Sequence, residues 1–168
     1  QIAAMETADV AAMGTTQVAA LTTAQVVGLG STQISSMTTT QLVAMTTAQI
    51  AAMQTADVAA LGTTQVSALT ATSSSSGSQL VNMTTIHIAS LTTAQVAGLG
   101  TTQVSYMTSS QLAAMTTTQI MAMETSDLAA ITSANITGLT TAQMAAMTTT
   151  QVVALGTEQV SNLTTKQL

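Results

Sequence analysis

The sequence of 168 residues contains neither cysteine nor proline, and it has only one aromatic side chain. Without cysteine the chain can form neither a disulfide nor a thiolate metal site, although this leaves its redox compartment open. It has a single lysine, Lys166, no arginine and a formal net charge of −5. It therefore lacks the basic surface that binding to nucleic acid or to anionic lipid requires.

Long apolar runs are also absent. No run approaches the roughly 18 residues of a membrane span, because Thr and Gln interrupt the apolar residues throughout. Hydrophobic residues nevertheless make up 46% of the chain and recur in phase, which argues against a disordered polar tract. The sequence predicts no membrane insertion. It predicts instead a neutral surface of Thr, Ser and Gln with little charge repulsion to oppose self-association.

An eight-residue repeat accounts for almost all of the chain. Between residues 22 and 69 it reads TTAQVVGL, GSTQISSM, TTTQLVAM, TTAQIAAM, QTADVAAL and GTTQVSAL. We number its positions 1 to 8: Thr or Gly, Thr, a small residue, Gln, a β-branched residue or Leu, two small residues, and Leu or Met. The large apolar residues at positions 5 and 8 would drift roughly 80° around a continuous α-helix with every octad. One long helix is therefore a poor solution.

Positions 1 and 4 carry the signal for a helix N-terminus. In Thr38-x-x-Gln41 the Thr hydroxyl can accept the N–H of Gln41 while the Gln side chain accepts the N–H of Thr38, which is a capping box. Met37 and Leu42 can pack together as a hydrophobic staple. The pattern predicts structural capping by Thr22 with Gln25, Thr38 with Gln41, Thr46 with Gln49, and Thr92 with Gln95. Each octad thus predicts a helix of about two turns.

These signals predict an all-α repeat fold, a solenoid of short capped helices with one helix per octapeptide. The alternative is a β-solenoid, which the Thr, Val and Ile content and the even period favour. Positions 5 and 8 would point to opposite faces of one strand, so the β-solenoid needs a bend within each octad. Two large aliphatic side chains cannot offset the ordering of eight residues, so stability must come from stacked neighbours and other chains.

The octads form two blocks with a single break in phase. Residues 1–69 and 84–168 are the octapeptide-repeat blocks, and six extra residues lie within 70–83, TATSSSSGSQLVNM. This Ser-rich stretch predicts a flexible loop inserted into one continuous solenoid, and a hinge between two blocks is the alternative. Because both ends of the sequence cut through an octad, we expect the chain to be an excerpt of a longer array.

Few residues are candidates for chemistry. His87, the only histidine, occupies position 4 without a neighbouring ligand, which favours a substituted cap over a metal or acid-base role. Glu6 with Asp9 and Glu124 with Asp127 could hold Ca²⁺ or act as acid and base, but they occupy the capping positions, where negative charge favours a helix N-terminus. We predict no catalytic, cofactor-binding or metal-binding residues, no small-molecule substrate and no enzymatic activity.

The tandem word [TG]-T-x-Q-[VIL]-x-x-[LM] resembles the Thr/Gln/Ala-rich octapeptide tracts of giant secreted bacterial surface proteins, often described as adhesins or haemagglutinin-like exoproteins. The resemblance extends over nearly the whole chain. It implies an extracellular or cell-surface location, a stalk or fibre, and no catalytic residues.

We therefore expect a structural protein that associates with other copies of itself, laterally or end to end, into an extracellular filament. Tyr106, the only aromatic residue, lies at position 7 and is the predicted contact between chains. The alternative is a passive stalk or spacer within a large adhesin. Ice binding is a third candidate, because stacked octads would align the Thr residues of positions 1 and 2 in ranks.

Overall fold

The computed structural model describes residues 2–72 and 77–168. Gln1 and residues 73–76, which belong to the predicted Ser-rich loop, lie outside the described residues. All regular elements in the described ranges are helices, and none of these residues lies in a β-strand. The predicted all-α repeat solenoid is confirmed, and the β-solenoid alternative is wrong for this part of the chain.

Every α-helix of the described residues has five or six residues, as an octad allows. They are α1 Thr7–Ala12, α2 Thr15–Ala19, α3 Thr23–Val27, α4 Ser31–Ser36, α5 Thr39–Ala44, α6 Thr47–Ala52, α7 Thr55–Ala60, α8 Thr63–Ala68, α9 Thr85–Ser90, α10 Thr93–Ala97, α11 Thr101–Ser105, α12 Ser109–Ala114, α13 Thr117–Ala122, α14 Thr125–Ala130, α15 Thr141–Ala146, α16 Thr149–Val153 and α17 Thr157–Asn162. Two 3₁₀-helices, η1 Ile2–Ala4 and η2 Ile136–Gly138, accompany them.

At the corner between α4 and α5, two extended residues separate one helix from the next. Met37 ends one octad with φ −64° and ψ 142°, and Thr38 begins the next with φ −71° and ψ 157°. Because both residues leave the helical region, the chain changes direction at this corner. The Thr or Gly at position 1 then begins a new helix in the way an N-cap does.

Each helix stacks on the helix that lies three octads later in the chain, so one coil contains three octads. In this way α1 packs on α4, α2 on α5 and α3 on α6. Three stacks of helices result, which we call the columns. The first column is α1, α4, α7, α9, α12, η2 and α17; the second is α2, α5, α8, α10, α13 and α15; the third is α3, α6, α11, α14 and α16.

The side chains of positions 5 and 8 point inward from all three columns and form one continuous core. Val26 and Leu29 belong to it, as do Ile50 and Met53 one coil later. Leu or Met occupies nearly every position 8, and Met side chains such as Met45 fill the core beside Leu because they adapt to irregular gaps. No octad has a core of its own, so each depends on its neighbours.

Two octads depart from the prediction of one α-helix each. The octad that carries the six-residue insertion has turns instead of a helix after residue 77, and the octad 132–139 forms η2. Across the insertion, Thr70 donates its N–H to Gln79 Oε1 at 3.2 Å, and Gln79 donates its N–H to Thr70 Oγ1 at 3.2 Å. A capping box therefore forms between residues nine apart, and the chain returns to the corner that it left.

Candidate functional site

The side chain of Gln at position 4 links two levels of the solenoid. The Oε1 atom of Gln119 accepts the N–H of Thr116 at 2.7 Å, and the N–H of Gln119 donates to Thr116 Oγ1 at 3.2 Å. Its Nε2 group donates to the carbonyl oxygens of Ile88 at 2.9 Å and Leu91 at 2.6 Å, at the end of α9. One side chain thus caps the start of its own helix and the end of a helix in the preceding coil.

The predicted capping pairs form the two hydrogen bonds of a capping box within their own octad. Reciprocal hydrogen bonds join Thr22 with Gln25, Thr38 with Gln41, Thr46 with Gln49, and Thr92 with Gln95. Where position 1 is Gly, as in Gly14, only the backbone N–H bond to the Gln side chain remains, at 2.7 Å for Gln17.

The inter-coil hydrogen bonds are the part that sequence reasoning missed. They are made by the amides of Gln33, Gln41, Gln49, Gln65, Gln79, Gln95, Gln103, Gln111, Gln119, Gln143, Gln151, Gln159 and Gln167. The acceptors are last-turn carbonyls, which have no partner within their own helix. One signal was present: position 4 is never Glu, although Glu completes a capping box as well as Gln does. A hydrogen-bond donor is therefore favoured at this position, although Asp9, Asp57 and Asp127 depart from the preference.

His87 fills the role of Gln in α9. Its side chain is 4% exposed, with Nε2 lying 2.8 Å from the carbonyl oxygen of Met53 and Nδ1 accepting the N–H of Thr84 at 3.4 Å. Because a carbonyl can only accept, Nε2 carries the proton. A neutral imidazole reproduces both functions of the Gln amide, one acceptor and one donor.

Asp57 also replaces Gln, but a carboxylate cannot donate. Its Oδ2 accepts the N–H of Gln54 at 3.2 Å, and its Oδ1 accepts the hydroxyl of Ser31 from the preceding coil at 2.8 Å. The missing amide is supplied from position 1, where Gln54 Nε2 donates to the carbonyl oxygen of Val27 at 3.0 Å. The octad QTADVAAL thus keeps an inter-coil hydrogen bond, because its amide donor lies at position 1 instead of position 4.

Asp127 has no such compensation. It is 2% exposed, and its Oδ2 has no hydrogen-bond partner among the described residues. Position 1 of this octad is Glu124, whose side chain has no amide group that could donate a hydrogen bond. Burial, followed by the nearby charge of Glu124, raises the pKa of the Asp127 carboxyl from 3.8 to about 6.

Asn135 explains why its octad forms a 3₁₀-helix. Its shorter side chain donates through Nδ2 to the carbonyl oxygen of Met107 at 2.9 Å, which is the inter-coil bond. No side-chain bond to the N–H of Thr132 accompanies it in the described structure, because Asn cannot reach both partners. The backbone is drawn toward the neighbouring helix, and a Cβ at Gly138 would lie 2.6 Å from Ser109 Cα and Cβ.

The remaining candidates are scattered over the surface. Tyr106 is 37% exposed, follows α11 directly, and stays a prediction as an inter-chain contact. No group of three metal-ligating side chains occurs among residues 2–72 and 77–168. A depression of about 450 Å³ lies near the C-terminal end of the described residues, between apolar side chains such as Met144, Leu155 and Leu163. None of the described helices is long and apolar enough to cross a membrane.

Comparison with known proteins identifies the repeat. The ALTTAQ repeat matches residues 2–39, 34–71 and 120–157, which together cover 108 of the 168 residues. No curated protein and no solved structure matched the chain. The octads within these matched ranges are therefore ALTTAQ repeats, and the chain belongs to the ALTTAQ repeat family.

Proposed function

We propose that this chain is a structural protein that self-associates into an extracellular filament. The uncharged Thr, Ser and Gln surface, the repetitive architecture and the resemblance to secreted bacterial surface proteins support this role. The same resemblance supports a location outside the cell or on its surface. We expect other copies of the chain as partners and no catalytic activity.

The open-ended pattern of inter-coil hydrogen bonds carries the proposal. Each coil offers Gln amide donors toward the preceding coil and helix-end carbonyls toward the following one. In the first coil the Gln17 and Gln25 amides have no acceptor among the described residues, and both side chains are exposed. At the other end the carbonyls of Met147 and Leu155 receive no position-4 amide from the described chain. Within residues 2–72 and 77–168 no segment covers these donors and acceptors, so further octads or another copy can continue the stack.

Negative-stain electron microscopy and sedimentation velocity of the purified chain in physiological buffer test the proposal. We expect filaments of uniform width, growing with protein concentration. A single chain of seven stacked levels is a rod of only about 60 Å, since packed helices lie about 8–10 Å apart. Isolated rods of that length at all concentrations would reject self-assembly.

A passive spacer is the second candidate. It is favoured by the central coils, whose position-4 side chains find their partners within one chain, as Gln95 does with Leu61. Ice binding is favoured by the exposed Thr residues of position 2, which recur on successive helices of a column. Thermal hysteresis equal to that of a buffer control would exclude ice binding.

A further inference from the structure

The second column differs from the other two in its charge. Its six helices, α2, α5, α8, α10, α13 and α15, contain no ionisable side chain. The exposed carboxylates Glu6, Asp9 and Glu158 lie on the first column, and Glu124 lies on the third. Lys166 lies near the end of the second column, beside Thr141 and Met144. The second column is thus the one face that two acidic copies can bring together without opposing carboxylates.

Two apolar side chains project from this uncharged face. Val43 on α5 and Met121 on α13 both occupy position 6 and are 40% and 51% exposed, while other position-6 residues of the column are Ala or Ser. Beside Val43 the surface has a depression of about 270 Å³, lined by Thr39, Thr40, Val43 and Ala68. A protruding Met is well suited to such a depression because its unbranched side chain adapts to irregular shapes.

The two projections are placed symmetrically along the column. Helix α5 is second from one end of the six, and α13 is second from the other. A two-fold axis in the plane of the face, passing between α8 and α10 at right angles to the column, brings α13 of one copy over α5 of the other. Met121 then meets Val43 and the adjoining depression twice, as an isologous interface requires.

We propose that two copies pair in antiparallel orientation through their second columns, with Met121 of each copy seated beside Val43 of the other. This deepens the proposed self-association by naming its lateral contact. Six helices about 9 Å apart, each presenting roughly 10 Å of length, give about 600 Å² per copy. A total near 1,200 Å² is at the lower limit of specific interfaces, so the pairing is reversible and of moderate affinity.

Disulfide trapping tests the orientation of the two copies. Because the sequence has no native cysteine, only the introduced cysteines can form disulfides. We would prepare Val43→Cys and Met121→Cys separately, mix them and oxidise the mixture. A disulfide requires Cα atoms about 4.4–6.8 Å apart, so the mixed dimer should form in clear excess over both homodimers. The matched control is Val27→Cys on the third column, also at position 6 and 45% exposed. Preferential Val43→Cys homodimers, or cross-linking no better than the control, would overturn the inference.

Charge insertion separates this inference from the proposed function. Met121→Glu should weaken the dimer at least about tenfold in sedimentation equilibrium, whereas Val27→Glu should leave it intact. Filaments that form equally well with Met121→Glu would overturn the lateral contact and leave filament formation standing. Stable dimers that never lengthen would support the contact and reject the filament. Monomers alone would reject both.

Discussion

Gln119→Glu isolates the inter-coil hydrogen bonds with almost no change of shape. One carboxylate oxygen can still accept the N–H of Thr116, as Oε1 does at 2.7 Å. The other oxygen replaces Nε2 and faces the carbonyl oxygens of Ile88 and Leu91, which the amide now approaches at 2.9 and 2.6 Å. The side chain is 2% exposed, so water cannot replace the lost donor.

The size of the effect follows from these contacts and depends on pH. At pH 7 the ionised variant loses two donated bonds and leaves two buried carbonyls unsatisfied, which costs about 3–5 kcal/mol in unfolding free energy. A protonated carboxyl can donate to one of the two carbonyls, so near pH 4 the loss should fall to about 1–2 kcal/mol. The folded state therefore raises the pKa of the new carboxyl, and its destabilisation grows as pH rises.

Urea unfolding followed by circular dichroism at pH 4, 5.5 and 7 measures these differences. Because a solenoid can open locally, amide exchange in α9 and α13 should show where the stability is lost. The matched control is Gln17→Glu, where Oε1 accepts the N–H of Gly14 at 2.7 Å and the exposed amide has no carbonyl acceptor among the described residues. This control should be near neutral. The proposed role of the amide would be refuted if both variants lost the same unfolding free energy at pH 7. It would also be refuted if the loss for Gln119→Glu did not change with pH.

Three further perturbations are expected to give defined results. Gly138→Ala places a Cβ against Ser109 and should cost about 1–3 kcal/mol by urea unfolding, whereas Gly28→Ala, also at position 7, should be tolerated; equal effects would contradict the close approach. Since the fold raises the pKa of Asp127 from 3.8 to about 6, its carboxyl favours folding when protonated, and the free energy of unfolding should fall by up to about 2 kcal/mol as pH rises from 4 to 6. Asp127→Asn should remove that slope, and a slope that persists unchanged would assign it to other groups. Deleting residues 71–76 restores an eight-residue spacing and should raise stability by about 1 kcal/mol through loop closure, with helical signal gained; a loss of cooperativity on melting would show that the insertion is needed.

The helix in each octad could be predicted because its signals are local. The Thr-x-x-Gln spacing and the apolar residues on either side lie within six consecutive residues, as Met37 to Leu42 do, and they fix where a helix begins. The stacking of three octads per coil could not be predicted in the same way. It depends on the angle that two extended residues, such as Met37 and Thr38, impose at every corner, and no side-chain pattern records that angle.

The sequence contains only indirect evidence of the inter-coil hydrogen bonds that the Gln side chains donate. The preference for Gln over Glu indicated a donor, but its acceptors lie in a preceding coil, about 28 residues earlier for Gln119 and Leu91. The exchange of Gln and Asp in QTADVAAL is likewise present in the sequence. Its meaning appears once Gln54 is seen to reach Val27. The octad ETSDLAAI has Glu124 at position 1 where QTADVAAL has Gln54. Asp127 therefore has no side-chain amide at position 1 to replace the missing donor.

Three octads per coil also restrict how such an array can change its length. Gain or loss of a single octad keeps every capping box intact but moves all later residues to the next column, which would carry Met121 away from the face of Val43. Only a gain or loss of three octads preserves both the local bonding and the pattern on each face. The insertion of six extra residues between Thr70 and Gln79 avoids the restriction, since Thr70 and Gln79 still pair as positions 1 and 4 of one octad. If function depends on one face of the solenoid, we expect related arrays to gain or lose octads in units of three. Insertions of other lengths should then occur only at the corners between helices.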